Sequence, residues 1–200
     1  GVAGLSEENL TRELGHLQAA EFIYETRMFP DLEYTFKHAL THEVSYGSLL
    51  QDRRRAHHAR VVEAIEKLYS DRIAEQVELL AHHSVRAELW ENAVEYFHQS
   101  GRKAVARSST QEAIAYFEQA LEAIKHLPEV KPTIEKAINI RVDLGPTLIA
   151  TRGFAATETE ENYTRARALC EQFGETPQLF PVLWGLARMH DVRGELRLGR

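Results

Sequence analysis

The stretch "EAIAYFEQAL", residues 112–121, decides the fold that the sequence predicts. Its small and aromatic residues recur at helical spacing: Ala113 is followed four residues later by Phe117, and three residues after that by Ala120. Residues three and four apart lie on one face of a helix. The three side chains therefore form one stripe on a helix that the periodicity predicts near residues 109–126.

The same spacing recurs on both sides of this stretch. The copies are Ala93, Phe97 and Ser100 in "WENAVEYFHQS" and, more loosely, Thr159, Tyr163 and Ala166. With these copies the chain resembles tetratricopeptide repeats from about residue 74 to residue 200. The resemblance implies an all-α fold, a superhelix of helical hairpins in which the second helix of each repeat nests against the first.

The resemblance also implies a small residue where the two helices of a repeat cross most closely. Gly101 stands at that position, twelve residues before Ala113, and Gly145 and Gly185 belong to further first helices. These glycines are 44 and 40 residues apart, longer than the family period of about 34 residues, which implies extended helices or loops. The repeat-packing residues implied in this way are Ala93, Phe97, Gly101, Ala113, Phe117, Ala120, Gly145, Tyr163, Ala166 and Gly185.

Apolar periodicity predicts that almost the whole chain after residue 42 is helical. The predicted helices lie near residues 42–51, 53–69, 72–86, 88–106, 109–126, 132–151, 158–173 and 177–192. Two starts, Ser109 with Glu112 and Thr157 with Glu160, have the spacing of a capping box. Pro146 falls inside a predicted helix, which predicts either a kink at Gly145 and Pro146 or two shorter helices, and we favour the kink. Gly153, Gly174 and Gly194 are predicted helix ends. Thr176 before Pro177 is a predicted helix start, and "RGEL" is predicted to begin the second helix of the last repeat.

The first fifty residues have a different pattern. Ser6 caps a predicted helix that runs to about Leu17, and the strand-like segments "EFIYE" and "EYTFK" flank a proline-containing connection of hairpin length. Helix, hairpin and helix in this order resemble the back half of a winged helix. We therefore predict the C-terminal part of a winged-helix domain with linking helices over 1–70, and helical repeats over 71–200. The last repeat is truncated, so we expect a piece of a larger protein.

Composition argues against several classes of protein. The net charge of -6, from 30 acidic residues against 24 lysines and arginines, repels phosphate backbones. The one dense basic stretch, "RRRAHHAR" at 53–60, points its arginines in three directions on a helix, so nucleic acid is not an expected partner. No apolar run reaches the roughly 18 residues of a membrane span, and no signal peptide is present, so we expect a cytoplasmic protein. Cys170 lies on an apolar helix face, where packing is expected.

The run "FKHALTHEVSYGSLL", residues 36–50, followed by the repeats, is similar to the sensor half of bacterial STAND-type signalling ATPases. Those with a class III adenylate or guanylate cyclase domain, or a LuxR-type DNA-binding domain, are the nearest kinds. The resemblance implies an upstream ATPase domain that holds ATP or ADP, and it implies His38 as the residue that senses the nucleotide phosphate. The alternative is a histidine bonded to nearby backbone. His38 and His42 have the spacing of a helical metal pair, but no third ligand is evident and no metal site is predicted.

The chain has no phosphate-binding loop and none of the common catalytic motifs, so we expect neither catalysis nor a cofactor within it. The leading hypothesis is a regulatory and protein-interaction module that couples an effector, a protein, peptide or small molecule, to the upstream nucleotide switch. The repeat resemblance implies candidate groove residues, namely Asn139, Arg141, Asp143, Arg188 and His190. The alternatives are a DNA-binding transcriptional regulator that uses the winged-helix part, and a self-association scaffold that uses the face near Trp184.

Overall fold

The structure, a computed structural model, describes residues 4–27, 32–173 and 177–193. In chain order its elements are α1 (Glu7–Ala19), β1 (Ile23–Arg27), β2 (Glu33–Phe36), α2 (Ala39–Gly47), α3 (Gln51–Leu68), α4 (Ile73–Arg86), α5 (Trp90–Ala106), α6 (Thr110–Ile124), α7 (Lys131–Arg152), α8 (Thr157–Phe173) and α9 (Leu179–Arg193). The predicted all-α class with one β-hairpin near the N-terminus is confirmed.

The chain divides into two compact units, Gly1–Ser70 and Asp71–Arg200. In the first unit, α1 begins after Ser6, whose Oγ accepts a hydrogen bond from the backbone N–H of Asn9 at 3.4 Å. This is the capping contact that a serine at a helix start predicts. Strands β1 and β2 are antiparallel, with Ile23 opposite Phe36. α2 and α3 follow the hairpin.

The second unit is a series of helices in which each packs against the next along the chain, from α4 to α9. In addition, α7 contacts α5 and α9, so alternate helices also meet. Apolar side chains facing these contacts form its core; the largest fully buried ones are Leu80, Val77, Val94, Phe117, Ile138, Ile140, Val182 and Met189. The order of contacts is that of stacked helical hairpins. Membership of the tetratricopeptide family stays a prediction.

Three glycines lie at the closest helix crossings of this unit. A β-carbon on Gly101 of α5 would lie 2.6 Å from Cδ1 of Phe117 on α6. A β-carbon on Gly145 of α7 would lie 2.5 Å from Cζ of Tyr163 on α8, and one on Gly185 of α9 would lie 2.5 Å from Cε1 of the same ring. Only glycine lets the backbone approach an aromatic ring this closely.

Both predicted capping boxes are wrong in detail. Ser109 is the cap of α6, but its side chain makes no capping hydrogen bond. α8 already includes Thr157, so the capping position falls one residue earlier, at Ala156, whose carbonyl accepts from the N–H of Glu160 at 3.2 Å. Thr159 instead donates its hydroxyl to the carbonyl of Gly153 at 3.1 Å. Polar residues at a helix start therefore have more than one backbone group within reach.

Helix α7 runs through Pro146 as one continuous element. It ends at Gly153, which has φ +88°, a conformation that glycine adopts without strain. The predictions at Gly174, Thr176, Gly194 and "RGEL" fall wholly or partly outside the described residues. Within the described ranges, no helix combines the length and apolar character that crossing a membrane requires.

Candidate functional site

The ten predicted repeat-packing residues are all buried. Ala113, Phe117, Ala120 and Ala166 are fully enclosed, and Tyr163 is nearly so. The structure places them at contacts between helices of the second unit, where they fix helix spacing. They therefore position a site and are not exposed to contact a ligand.

The predicted groove residues do not form one cluster. Asp143 of α7 accepts a hydrogen bond at 2.7 Å from Nε2 of His98 on α5 and lies 3.8 Å from Nε of Arg102. Arg141, two residues earlier on α7, instead contacts Asn162 of α8. The two side chains thus serve different helix contacts.

The other three groove candidates have separate surroundings. Asn139 accepts a hydrogen bond from Gln178 at 2.9 Å. Arg188 lies 3.6 Å from Asp191 within α9, and His190 is half-buried on the same helix. Among these candidates, Arg141 lines a cavity.

That cavity has a volume of about 280 Å³ and lies between α6, α7 and α8. We call it the Arg141 cavity. Its wall combines apolar side chains with both signs of charge; the lining residues are Glu118, Leu121, Glu122, Lys125, Arg141, Leu144, Leu148, Glu158, Glu161, Asn162 and Arg165. All except Lys125, which directly follows α6, are on helices, and helices hold side chains more firmly than loops do.

Arg141 is half-buried and incompletely paired. Its Nη1 donates to Oδ1 of Asn162 at 3.4 Å, and its Nε is buried without a hydrogen-bond partner in the described part of the chain. Burial, with a smaller effect from the positive charge of Arg165, lowers the pKa of Arg141 to about 10. Asn162 is itself buried and is anchored by donating from Nδ2 to the carbonyl of Arg141 at 2.9 Å.

Three of the four glutamates around the cavity have their own cations. Glu122 pairs with Lys125 at 2.5 Å, Glu158 with Arg152 at 2.5 Å, and Glu161 lies 3.9 Å from Arg165. A hydrogen bond from its own backbone N–H, together with the nearby Arg152, lowers the pKa of the Glu158 carboxyl. Glu118 is exposed and has no ion pair among the described residues.

A second cavity, of about 410 Å³, lies between α4, α5 and α6. The rings of Trp90 and His126 stack beside it with centroids 3.8 Å apart. His82 and Arg86 also line it, and burial followed by the charge of Arg86 lowers the pKa of His82. A lowered pKa favours the neutral imidazole. The wall therefore combines aromatic rings with the charged side chains of Arg86 and Glu122.

His38 lies in the first unit, immediately before α2. It is exposed, and its carbonyl accepts from the N–H groups of Thr41 at 3.1 Å and His42 at 3.3 Å. The ring of His42 stacks on Tyr46 with centroids 6.0 Å apart and meets Phe36 at a tilt of 60° with centroids 5.3 Å apart. The described residues contain no group of three or more metal-ligating side chains.

The first unit exposes large apolar side chains next to His38. Leu40 and Val44, four residues apart on α2, are 69% and 63% exposed. We call this pair the α2 apolar face.

Part of the basic stretch at residues 53–60 packs against neighbouring residues. Arg54 donates from Nε to the carbonyl of Leu49 at 3.0 Å, and its guanidinium lies 5.2 Å from the centre of the Tyr46 ring. Stacking of this kind stabilises the contact between α2 and α3. Arg54 is therefore held against α2 and the segment that follows it.

Sequence reasoning missed Asn162, Glu118 and Arg165 as residues of the Arg141 cavity. Asn162 directly precedes the predicted packing residue Tyr163. A polar residue beside a packing position can turn inward only if it is paired. Its partner is the backbone of residue 141, and no local pattern links positions 21 residues apart.

Comparison with known proteins gives one relative and no family. A protein of Rhizobium meliloti (strain 1021), described only as uncharacterized, is 29% identical over 173 residues. The match covers 82% of this chain and 17% of the relative, so the chain spans a small part of that relative's length. No family model matches the chain, and no solved structure shows significant similarity to it.

Proposed function

We propose that this chain is a non-catalytic regulatory and interaction module of a multidomain bacterial signalling ATPase. In this proposal the helices of the second unit bind an effector, and the first unit docks on an upstream nucleotide-binding domain of the same protein. The carrying observation is the α2 apolar face, Leu40 and Val44, exposed beside His38.

Two further facts support this partner. Isolated large apolar side chains are common on protein surfaces. Leu40 and Val44, however, lie four residues apart on one face of α2, which is the spacing of a helix face that another domain covers. The relative has more than five times the length of the matched segment, which leaves room for further domains in that protein. His38 would then meet the nucleotide phosphate at the edge of the covered face, where an imidazole can donate a hydrogen bond.

The test is nucleotide release from the intact protein. The double change Leu40→Asp and Val44→Asp places two charges in the docking face, so we expect a fluorescent ADP analogue to leave severalfold faster. His38→Ala is expected to act in the same direction. The matched control is Val105→Asp, an exposed apolar residue of the second unit. Equal release rates in all variants, or no nucleotide binding by the intact protein, would overturn the proposal.

Self-association is the second candidate function, and exposed apolar residues of α9 favour it. Phe180 and Trp184, four residues apart, are 76% and 55% exposed. Light scattering of the chain across a range of concentrations tests this reading. We expect a mass that rises with concentration in the native chain and stays monomeric after Trp184→Lys; a constant monomeric mass in both contradicts it.

A further inference from the structure

The Arg141 cavity offers one group that requires an anion. A guanidinium carries five N–H donors and no acceptor. The structure pairs Nη1 with an amide oxygen, and the Nε is closed off from solvent without a partner in the described ranges, so a cavity ligand meets other parts of the guanidinium. Among the described residues no carboxylate forms an ion pair with Arg141, although four glutamates line the same cavity. A half-buried cation without a counter-ion is unfavourable, and a ligand carboxylate matches the guanidinium in shape and charge.

The same cavity disfavours a ligand with excess negative charge. Its wall carries four carboxylates, Glu118, Glu122, Glu158 and Glu161, against three cations. Arg152, which pairs with Glu158 from outside the wall, balances the fourth carboxylate. A ligand without net charge keeps that balance, whereas a phosphate dianion disturbs it. Glu118 is the carboxylate without a cation of its own, so it can accept an ammonium group.

The rest of the wall is apolar. Leu121, Leu144 and Leu148 line the cavity, and Leu144 and Leu148 are four residues apart on one face of α7. These side chains can cover a short hydrocarbon group. The volume of about 280 Å³ is slightly below the range of drug-sized ligand pockets, which begins near about 300 Å³. The wall thus fits a small molecule with a carboxylate, an ammonium and an aliphatic part.

We propose that the Arg141 cavity binds a free amino acid with an aliphatic side chain. Its carboxylate pairs with Arg141, its side chain lies against Leu144 and Leu148, and its ammonium faces Glu118. This inference rests on the proposed function, since it names the chemical class of the effector. Asn162 is a positioning residue, because it holds the guanidinium through Oδ1 and is itself fixed to the α7 backbone.

The test is leucine binding to the purified chain, measured by calorimetry and by amide chemical shifts. We expect saturable binding, with shifts confined to α6, α7 and α8. Two analogues dissect the recognition: 4-methylpentanoate lacks the ammonium, and 3-methylbutylamine lacks the carboxylate. Each is expected to bind about tenfold or more weakly than leucine, since each loses one charged contact.

Matched variants assign the contacts. Arg141→Gln is expected to weaken leucine binding about tenfold or more, whereas Arg167→Gln, on an arginine that pairs with Glu171 on α8, leaves it unchanged. Glu118→Gln is expected to weaken leucine binding but not 4-methylpentanoate binding. If Arg141→Gln lowers the helix content, Arg141→Lys replaces it, which keeps the charge and loses the two-point contact.

Several outcomes would overturn the inference: no leucine binding at millimolar concentration, equal binding to the Arg141→Gln variant, equal affinity for 4-methylpentanoate, or stronger binding of inorganic phosphate. The two proposals fail separately. If an effector changes the rate of nucleotide release but not the amide chemical shifts of α6, α7 and α8, the cavity assignment fails and the proposed function stands. Leucine binding at Arg141 without any effect on nucleotide release removes the regulatory function and leaves the cavity assignment.

Discussion

Tyr163 lies against the backbone of Gly145 so closely that a β-carbon at Gly145 would overlap the phenol ring. Gly185 meets the same ring from the next helix. One aromatic side chain on α8 thereby sets the distance from α8 to the preceding helix, α7, and to the following helix, α9. The stability of the second unit should depend strongly on this contact.

Gly145→Ala is expected to destabilise the second unit by about 1–3 kcal/mol, because the methyl group forces the ring or the helices to shift. That loss exceeds the gain of up to about 1 kcal/mol that alanine gives inside a helix. Urea unfolding followed by helix content measures the difference. The control is Gly15→Ala in α1, where a β-carbon meets nothing within 4 Å, and this variant is expected to be as stable as the parent or more stable.

A second background makes that prediction specific to the ring. In a Tyr163→Leu chain, the Gly145→Ala change should cost clearly less, since the atoms that it overlaps are gone. An equal cost in both backgrounds would show that Tyr163 is not the cause.

Pro146→Ala is expected to stabilise α7 by about 1–3 kcal/mol, because proline inside a helix removes a backbone hydrogen bond and crowds the preceding turn. Pro146 is exposed, so alanine loses little packing. Pro132→Ala is the matched control, since Pro132 lies in the first turn of the same helix, where no N–H is needed. Thermal unfolding of both variants decides; a gain for Pro132 as large as that for Pro146 contradicts the explanation.

The contact between His98 and Asp143 joins α5 to α7 at 2.7 Å. A double-mutant cycle with His98→Ala and Asp143→Ala is expected to give a coupling of about 0.5–1 kcal/mol, because Asp143 remains partly exposed to water. Arg102 lies farther from the same carboxylate and is largely exposed. Arg102→Ala should therefore change the free energy of unfolding by less than about 0.5 kcal/mol. A coupling near zero would show that the two helices are held by packing alone.

Alkaline pH should destabilise the second unit through Tyr163. Burial raises the pKa of its phenol above the ordinary value of 10, so the folded state holds the neutral form more tightly than the unfolded state does. The resulting stability is present below pH 10 and is lost as pH rises through the raised folded pKa. Tyr163→Phe is expected to reduce this loss in denaturation curves measured from pH 8 to 11.

Part of the alkaline loss should persist in that variant. Burial also raises the pKa of Tyr116. Arg141 acts in the opposite sense, because its folded pKa of about 10 means that the cost of burying its charge falls as pH rises above that value. A pH dependence identical in the parent and in Tyr163→Phe would exclude the phenol as a contributor.

The sequence predicted the helices better than it predicted their first residues. Apolar periodicity depends on burial along a whole element, so α5 and α7 begin or end within about two residues of the expected positions. A cap depends on one side chain choosing among several backbone groups. That choice failed for Ser109, which makes no capping bond, and for Thr157, which lies inside its helix.

The candidate site was harder to predict than the helices. Arg141 and Asp143 were expected in one groove because the repeat resemblance places ligands on first helices, but side chains at i and i+2 on a helix do not face one another. The structure directs one to α8 and the other to α5. The cavity also requires Glu118 and Asn162 from two other helices, and their approach is a property of helix packing that spacing in the sequence does not contain.

The ring shared by Gly145 and Gly185 limits how such a chain can change in length during evolution. If α7 and α8 were lost or duplicated as a pair, α9 would pack against a different helix. An aromatic ring at that contact would then clash with any residue other than glycine on the facing helix. Only a duplication that carries a glycine at the matching position of the following helix restores both contacts. The unit that must be kept together in this part of the chain is therefore the α7–α8 hairpin with the first helix of the next hairpin, α9.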